Sequence, residues 1–559
     1  MLRYMTVVGA LCAAVAPFLS GGVPRPGPDA AVIGLAVGVV LVAVPAAVGG
    51  RVARVFAAVA ATGSTAAAWW LLVSDLVVGL TGDDLPVLAV GSLAVAVGAV
   101  ALAARRPADG RASVAAGRAR PSGDTPQVTA EADPEPAVAA AGTVGRGRRR
   151  VGVGGVVAVV VVAVAAGFAP LAAEAVIVRS QTREARGFPP EPVVERPGGR
   201  QWAWQPPADV VDVVPVLHGV AVATRDGAVV ALNGSDGRVE WRYARPGAPV
   251  GVVLASTDRR TVVVSYRSLH DTRAQSVVVL DADTGAPRFE VVLRSVLVET
   301  GQVMPGARAV TVRDGEVISG YDVVTGEPRW RWSPPAGCES WSGQVAWGRT
   351  SVLLPVVCAD TLGVMALDEA TGRERWRHEV RRDEANGERQ DVRLHATPDG
   401  STVLLQVFGA RATPDAVPDG LLDAETGRVL TRPERPWTVR TDVGVTPLVE
   451  QDEGGRVTDL FALDPATGAT TRMPLEDCPR PTADLTTSTT YVRACADNGR
   501  ELTVVTQPLD GSPPESTPVR LDGSGSPART DVRLVAAPGA LVIARVASGG
   551  TPAPVVGLR

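Results

Sequence analysis

A strand-turn-strand phrase that recurs through the second half of the chain, and a set of long apolar segments in the first, predict an all-β propeller preceded by an α-helical membrane region of five spans. The phrase is an apolar strand, an Asp or Asn, a turn ending in Gly, and often a Trp. Its clearest copies are VVALNGSDGRVEW (229–241), VVVLDADTGAPRF (277–289), ISGYDVVTGEPRW (318–330), VMALDEATGRERW (364–376) and LFALDPATGATTR (460–472). Weaker copies are GLLDAETGRVLTR (420–432) and TQPLDGSPPES (506–516). Self-similarity at a period of roughly 40–50 residues marks a solenoid, propeller or array.

Each unit reads as short strands joined by tight turns. In 219–243, GVAVAT, AVVALN and RVEWRY are strands, and RDG and SDG are turns. Asp-Gly turns suit hairpins because glycine accepts positive φ, and the Asp or Thr before it can accept nearby backbone N–H groups. The Trp that follows is large enough to fill the wedge between neighbouring sheets. The structural repeat residues are therefore Gly237, Gly285, Gly326, Gly372, Gly427 and Gly468, with Trp241, Trp330 and Trp376; Gly511 continues the series. The last strand pair, 540–546 and 553–559, lacks a closing Trp-bearing strand. QWAWQPP (201–207) is such a strand with no partner. Eight blades closed by this N-terminal strand account for both loose ends, with seven as the alternative.

The first half supplies the membrane segments. Apolar stretches at about 2–20, 30–50, 53–80 and 86–104 place four transmembrane helices in 1–104, and a fifth occupies 151–178. A hydrocarbon core of ~30 Å needs a helix of about 20 residues. Arg3, Arg51 with Arg54, Arg105 with Arg106, and the RGRRR run at 146–150 fall at alternate ends of the spans. With arginine-bearing ends in the cytoplasm, everything after about residue 178 is extracytoplasmic. Segment 105–150 mixes charge with Pro, Gly and Ala and reads as a disordered cytoplasmic linker. Segment 179–200 reads as an extracytoplasmic tether, and 201–559 as the propeller.

Four cysteines, Cys338, Cys358, Cys478 and Cys495, lie in the repeat region, and Cys12 lies in an apolar segment. An even number in an extracytoplasmic region suggests disulfides. The repeat frame selects Cys338–Cys358 and Cys478–Cys495, because each pair then takes equivalent positions of one blade. The net charge of −4 leaves no basic footprint for nucleic acid.

The motif in MALDEATGRERW (365–376) resembles the PQQ-like repeat. That family builds eight-bladed propellers in quinoprotein alcohol and glucose dehydrogenases, and in a non-enzymatic lipoprotein of the outer-membrane β-barrel assembly machinery. The resemblance covers 201–559. It implies the fold; the motif residues are structural and imply no activity.

Membrane-bound glucose dehydrogenase joins five transmembrane helices to such a propeller, so a PQQ-dependent dehydrogenase is the alternative reading. That reading needs PQQ and calcium, and with them adjacent cysteines and converging oxygen ligands. No two cysteines are adjacent here, and blades of about 45 residues leave no room for capping insertions. The acid pairs Asp281/Asp283 and Asp368/Glu369 sit in the repeat turn and read as turn formers. His218, His270, His378 and His395 are scattered singly, with no HExxH, CxxC or nucleophile elbow. With the PQQ-dependent membrane-bound dehydrogenase kept as the alternative, the expectation is a membrane-anchored binding or scaffold module of the cell envelope. It has no catalytic, cofactor-binding or metal residues, and its partners are the membrane and an envelope protein or cell-wall component.

Overall fold

The computed structural model describes residues 2–19, 30–77, 84–105, 153–187, 189–267, 274–294, 302–339, 345–381, 391–408, 420–432, 438–439, 444–452, 457–464, 466–467, 469–473, 478, 481–497, 501–521, 531–546 and 552–559. Nearly all of the 105–150 linker, His270 and Gly468 lie outside the described residues. The chain divides into a helical unit and a β-unit.

The helices are α1 (Leu2–Val15), α2 (Ala30–Val48), α3 (Arg51–Val77), α4 (Asp84–Ala104) and α5 (Val153–Ile177). Three segments, Arg51–Val73, Asp84–Ala104 and Val156–Ile177, are long and apolar enough to cross a membrane. The apolar helices Leu2–Phe18 and Val32–Val48 are shorter than the expected five-span pattern requires. Small residues set the contact of α1 with α4. A Cβ added at Gly9 would lie 2.7 Å from the Gly91 carbonyl oxygen, and one at Gly98 would lie 2.2 Å from Thr6 Oγ1. Close backbone approach over small residues is how helices associate where burial of apolar surface provides no drive. The outward faces carry exposed Leu11, Leu41, Phe56, Trp70 and Phe168.

The β-unit is a succession of antiparallel meanders. Val250–Ala255, Thr261–Arg267, Ala274–Asp281 and Pro287–Arg294 pair in chain order. The same order recurs at 303–332, 391–431, 438–473 and 483–520. At 338–381 the first strand is split into Cys338–Glu339 and Ala346–Trp347, both paired with Ser351–Cys358. The remaining sheet has nine strands and joins the two ends of the region. It contains the 210–244 meander and a second one made of Asp531–Ala537, Ala540–Val546, Val555–Leu558 and Gln201–Trp204. A single parallel pair, Val210 with Val546, connects the two. Gln201–Trp204 runs antiparallel to Val555–Leu558, with Trp204 opposite Val555. The unpartnered strand thus completes the last sheet. Val210, Val220, Val222, Val542, Val555 and their neighbours form one buried cluster across this closure, with Trp202 and Trp204 packed against it.

The repeat phrase acts between sheets. Trp241 stands opposite Ala231, Trp330 opposite Gly320, Trp376 opposite Ala366, and Trp202 opposite Gly557. The small partner lets the indole fold over it. A Cβ at Gly320 would come 2.2 Å from Trp330, and one at Gly557 would come 2.1 Å from Trp202. On its other side each ring meets the turn glycine of the next meander. Trp202 lies on Gly237, Trp241 on Gly285, Phe289 on Gly326, Trp330 on Gly372 and Trp376 on Gly427. A Cβ at any of these five would fall 2.4–2.7 Å from the ring. Their φ values run from +66° to +73°, so glycine is required twice over, by conformation and by the ring.

The indole N–H completes the contact. Trp202 donates to Gly234 O (2.7 Å), Trp241 to Ala282 O (2.9 Å) and Trp330 to Glu369 O (2.7 Å). Each carbonyl lies three residues before the turn glycine. At the equivalent carbonyl of Ala424, Ser351 Oγ donates instead (2.9 Å), and the Trp376 N–H is left without a partner.

The turn acids behave as turn formers. Asp281 Oδ1 accepts from the N–H groups of Asp283 and Thr284, and Asp322 and Asp423 repeat the pattern. Burial alone would raise the Asp322 pKa. The Thr325 N–H, the Arg329 guanidinium and the Val324 N–H outweigh it and hold the pKa at about 2. The disulfides are Cys338–Cys358 and Cys478–Cys495, with Cα separations of 4.0 and 6.0 Å.

Segment 179–200 differs from the expected free tether. Arg179–Gln181 adds a strand to the outer edge of Val239–Ala244. Arg183 bonds Glu240 and Asp283, and Arg186 also reaches Glu240. The segment therefore covers an edge that would otherwise be open to pairing with another chain.

Two outcomes follow from these contacts. Trp330→Ala should cost about 3–5 kcal/mol, and Gly372→Ala roughly 1–2 kcal/mol from its left-handed backbone alone. Because both remove one contact, the double variant should lose clearly less than the sum of the singles in denaturant unfolding; strict additivity would show that ring and glycine act separately. Deleting Gln201–Gln205 should lower and broaden the thermal transition of the β-unit, which calorimetry would read directly.

Candidate functional site: the central channel

The first strands of the meanders, and the hairpins that leave them, enclose a channel of about 790 Å³. Its wall is largely apolar, with Val214, Leu254, Met304, Trp347, Leu394 and Leu534 contributed by different meanders. The volume lies in the range of small-ligand sites. These positions come from the strands that resemble the repeat phrase least. Each nonetheless faces inward because alternate residues of a strand share a face.

Polar groups collect where first strands turn into second strands. Ser256, Thr257 and Arg259 come from one hairpin, Thr397 and Asp399 from another, and Thr487 and Ser488 from a third. A strap from the 179–200 segment runs over the last of these. Val193 bridges to Pro538, Val194 N–H donates to Ala537 O (3.3 Å), and Gly539 N–H donates to Pro192 O (3.1 Å). Glu195 Oε2 accepts from the Thr489 N–H (3.2 Å) and hydroxyl (3.1 Å), and the Thr490 hydroxyl donates to Glu195 O (2.6 Å). Val193 and Glu195 form part of the channel wall. Burial pushes the Glu195 carboxyl up, but the hydroxyls of Thr487, Ser488 and Thr489 outweigh it and hold it below its ordinary range.

The residues singled out from the sequence fall elsewhere. Trp241, Trp330, Trp376 and the turn glycines lie at the sheet junctions. One disulfide lies on the 338–381 sheet, the other ties the approach to the 483–520 sheet to that sheet, and neither lines any part of the channel. Among the described histidines only His395 does, its pKa drawn down by burial against an opposing hydrogen bond from Gln406. Glu369, read as a turn acid, does more. Its Oε1 accepts from the N–H groups of Arg308 (2.6 Å) and Ala309 (2.8 Å) of the preceding sheet, while Oε2 is buried without a partner. Burial raises its pKa above the ordinary value in spite of those two donors.

PQQ and calcium are the groups that the alternative reading requires, and the acids along the channel are engaged by protein groups in this structure. Asp399 is bonded to Arg349 and Ser401, and Asp484 accepts from the Tyr491 hydroxyl (2.8 Å). Among the described residues no three His, Cys, Asp or Glu side chains converge as metal ligands.

A family model described as outer membrane protein assembly factor BamB matches residues 250–473. Residues 250–473 thus carry the PQQ-like repeat. No curated protein matches the chain. Three solved structures illustrate the range of similar chains. BamB from Moraxella catarrhalis is 18% identical, with 64% of this chain and 96% of that one covered and a TM-score of 0.39. The WD40 domain of SCAP from fission yeast is 9% identical, with 64% and 97% covered and a TM-score of 0.40. Dihydro-heme d1 dehydrogenase NirN is 13% identical, with 56% and 67% covered and a TM-score of 0.35. With scores this low, the fold assignment rests on the chain's own strand pairing and on the PQQ-like repeat.

The strap should be sensitive to acid. Glu195 has a folded pKa below its unfolded value, so its stabilisation is complete above the ordinary carboxylate range. It is lost as pH falls through the lowered folded value. Limited proteolysis within 187–200 should accelerate as pH falls below the ordinary carboxylate range, and Glu195→Ala should show the fast pattern already at pH 7.

Proposed function

We propose that this protein is a membrane-anchored extracytoplasmic propeller of eight blades that acts as a binding or scaffold module in the cell envelope, without a redox cofactor. The observation that carries the binding reading is the channel. It is apolar, is walled by every meander, and its acids Asp399, Asp484 and Glu195 are engaged with their own walls. A largely apolar cavity in which no ligands converge among the described residues suits holding a partner better than performing chemistry.

Location is supported from two sides. The outward faces of the helices are apolar, as surfaces in contact with lipid are. Two disulfides sit in the repeat region, as in oxidising compartments. The arginine pattern favours five spans with the β-unit outside, the shorter helices Leu2–Phe18 and Val32–Val48 completing the count. The family's assembly factor is an envelope protein by its description, and protein binding is the role carried over here.

Protease added to intact cells with an opened wall should remove roughly the last 350 residues; full protection would reverse the topology. Detergent-solubilised protein should capture a defined envelope component. Incubation with PQQ and calcium should give neither quinone absorbance nor dye reduction with alcohols or sugars. Substrate-dependent dye reduction would establish the dehydrogenase reading instead.

A further inference from the structure

Two hairpins at the polar mouth of the channel, 256–261 and 397–402, share one set of bonds. Ser256 N–H donates to Thr261 O as Thr397 N–H donates to Thr402 O, both at 3.0 Å. Thr261 N–H donates to Ser256 Oγ (3.0 Å) as Thr402 N–H donates to Thr397 Oγ1 (3.1 Å). Asp258 and Asp399 each accept from the N–H two residues on, at 3.0 and 3.1 Å. The fourth residue closes each turn, Arg259 N–H onto Ser256 O and Gly400 N–H onto Thr397 O, both at 2.8 Å.

The two turns differ at that fourth residue. Gly400 has φ +66°, where glycine is unstrained, and Arg259 has φ 60°. Arg259 is the only non-glycine residue with positive φ among the described residues. A side chain is disfavoured there, and residues held in such conformations gather at functional sites. The Arg259 side chain lines the channel and has no hydrogen bond or ion pair among the described residues. Burial draws its pKa down, opposed by the charge of Asp399. Asp399 itself is engaged by Arg349 and Ser401.

We propose that the channel binds a ligand with an apolar body and a single carboxylate, the carboxylate pairing with Arg259; this rests on the binding reading above. A guanidinium takes a carboxylate through two parallel N–H donors. Asp399 and Glu195 line the same channel, so a second negative charge on the ligand meets repulsion. The apolar wall receives the body. The free carboxyl terminus of an apolar peptide and a small aliphatic or aryl acid share this chemistry.

The test uses the full chain in detergent and calorimetric titration with two pairs of probes. One pair is N-acetyl-Val-Val-Leu and its C-terminal amide; the other is 4-phenylbutyrate and 4-phenylbutanol. At least one acid should bind at least tenfold more tightly than its neutral counterpart, and the tighter acid identifies the source. Arg259→Gly, which places there the residue of the matching 397–402 hairpin, should weaken that acid at least tenfold while the melting temperature stays equal or rises. Arg259→Lys should retain part of the affinity. The proposal is overturned if neither acid saturates at millimolar concentration, if acid and neutral probes bind alike, or if Arg259→Gly binds as the wild type does. Capture of an envelope component by wild type and Arg259→Gly alike, without acid binding, would remove the channel ligand and leave the scaffold reading. Acid binding without any captured component would do the reverse.

Discussion

The β-unit depends on one contact, an aromatic ring held between a small residue of its own meander and the turn glycine of the next. The repeat phrase encodes both halves. The small residue precedes the aromatic one by ten positions, as in Ala231 and Trp241 or Gly320 and Trp330, and the turn glycine precedes it by four. The glycine of each copy therefore receives the ring of the copy before it. A phrase that is donor and receiver at once propagates a chain of sheets without any long-range specification. It closes when the first ring, Trp202, is delivered by a strand that pairs with the last sheet. The indole hydrogen bond fixes the ring's rotation at three of these junctions, so each junction sets an angle as well as a distance.

The contact lapses over the later repeats, and other interactions take its place. Val429–Thr431 and Thr470–Met473 end their meanders without an aromatic residue. Between 438–473 and 483–520, hydroxyls knit the sheets. The Thr446 N–H donates to Thr486 Oγ1 (3.1 Å), and the Thr446 hydroxyl donates to Thr487 O (2.9 Å). The Cys478–Cys495 disulfide ties the approach to this sheet onto its second strand. A bridge over a loop of this length stabilises by about 3 kcal/mol, comparable with the loss of a buried aromatic ring. The bridge and the hydroxyl pairs lie where the rings are missing.

What was legible in the chain was what repeats. The strand phrase, the closing segment at 201–207 and the pairing of Cys338 with Cys358 and Cys478 with Cys495 all follow from position within a period. The channel was not legible, because its wall comes from the first strand of each meander, where only alternation of apolar residues is required and any apolar residue serves. Glu369 was legible as a turn residue but not as a cap on Arg308 and Ala309, since that role depends on which neighbour the turn meets. Segment 179–200 has the composition of a tether, yet Arg183 and Arg186 meet carboxylates brought together from Glu240 and Asp283. Composition describes a segment by itself and is silent about partners that folding supplies. The Arg259 signal was present in the chain, as STDR against TPDG, but it carries meaning only once both hairpins are seen to share bonds and to open on one cavity.

That last comparison shows how this architecture separates shape from recognition. The two hairpins hold their form through Ser256 or Thr397 and Asp258 or Asp399, whose side chains are occupied within the turn. The fourth residue contributes to closure only its N–H, which any residue except proline supplies. Its side chain is thus released from the work of folding, apart from the strain of its φ, and is presented at the channel mouth. Glycine there leaves the mouth open, and arginine there places a cation beside an apolar wall. Junction contacts fix the disc, turn acids fix the hairpins, and the residues left over at the hairpin tips set the chemistry of the cavity. A repeat of this kind can therefore preserve its fold while its binding preference is altered one tip residue at a time, which is why the phrase that identifies the fold is silent about the ligand.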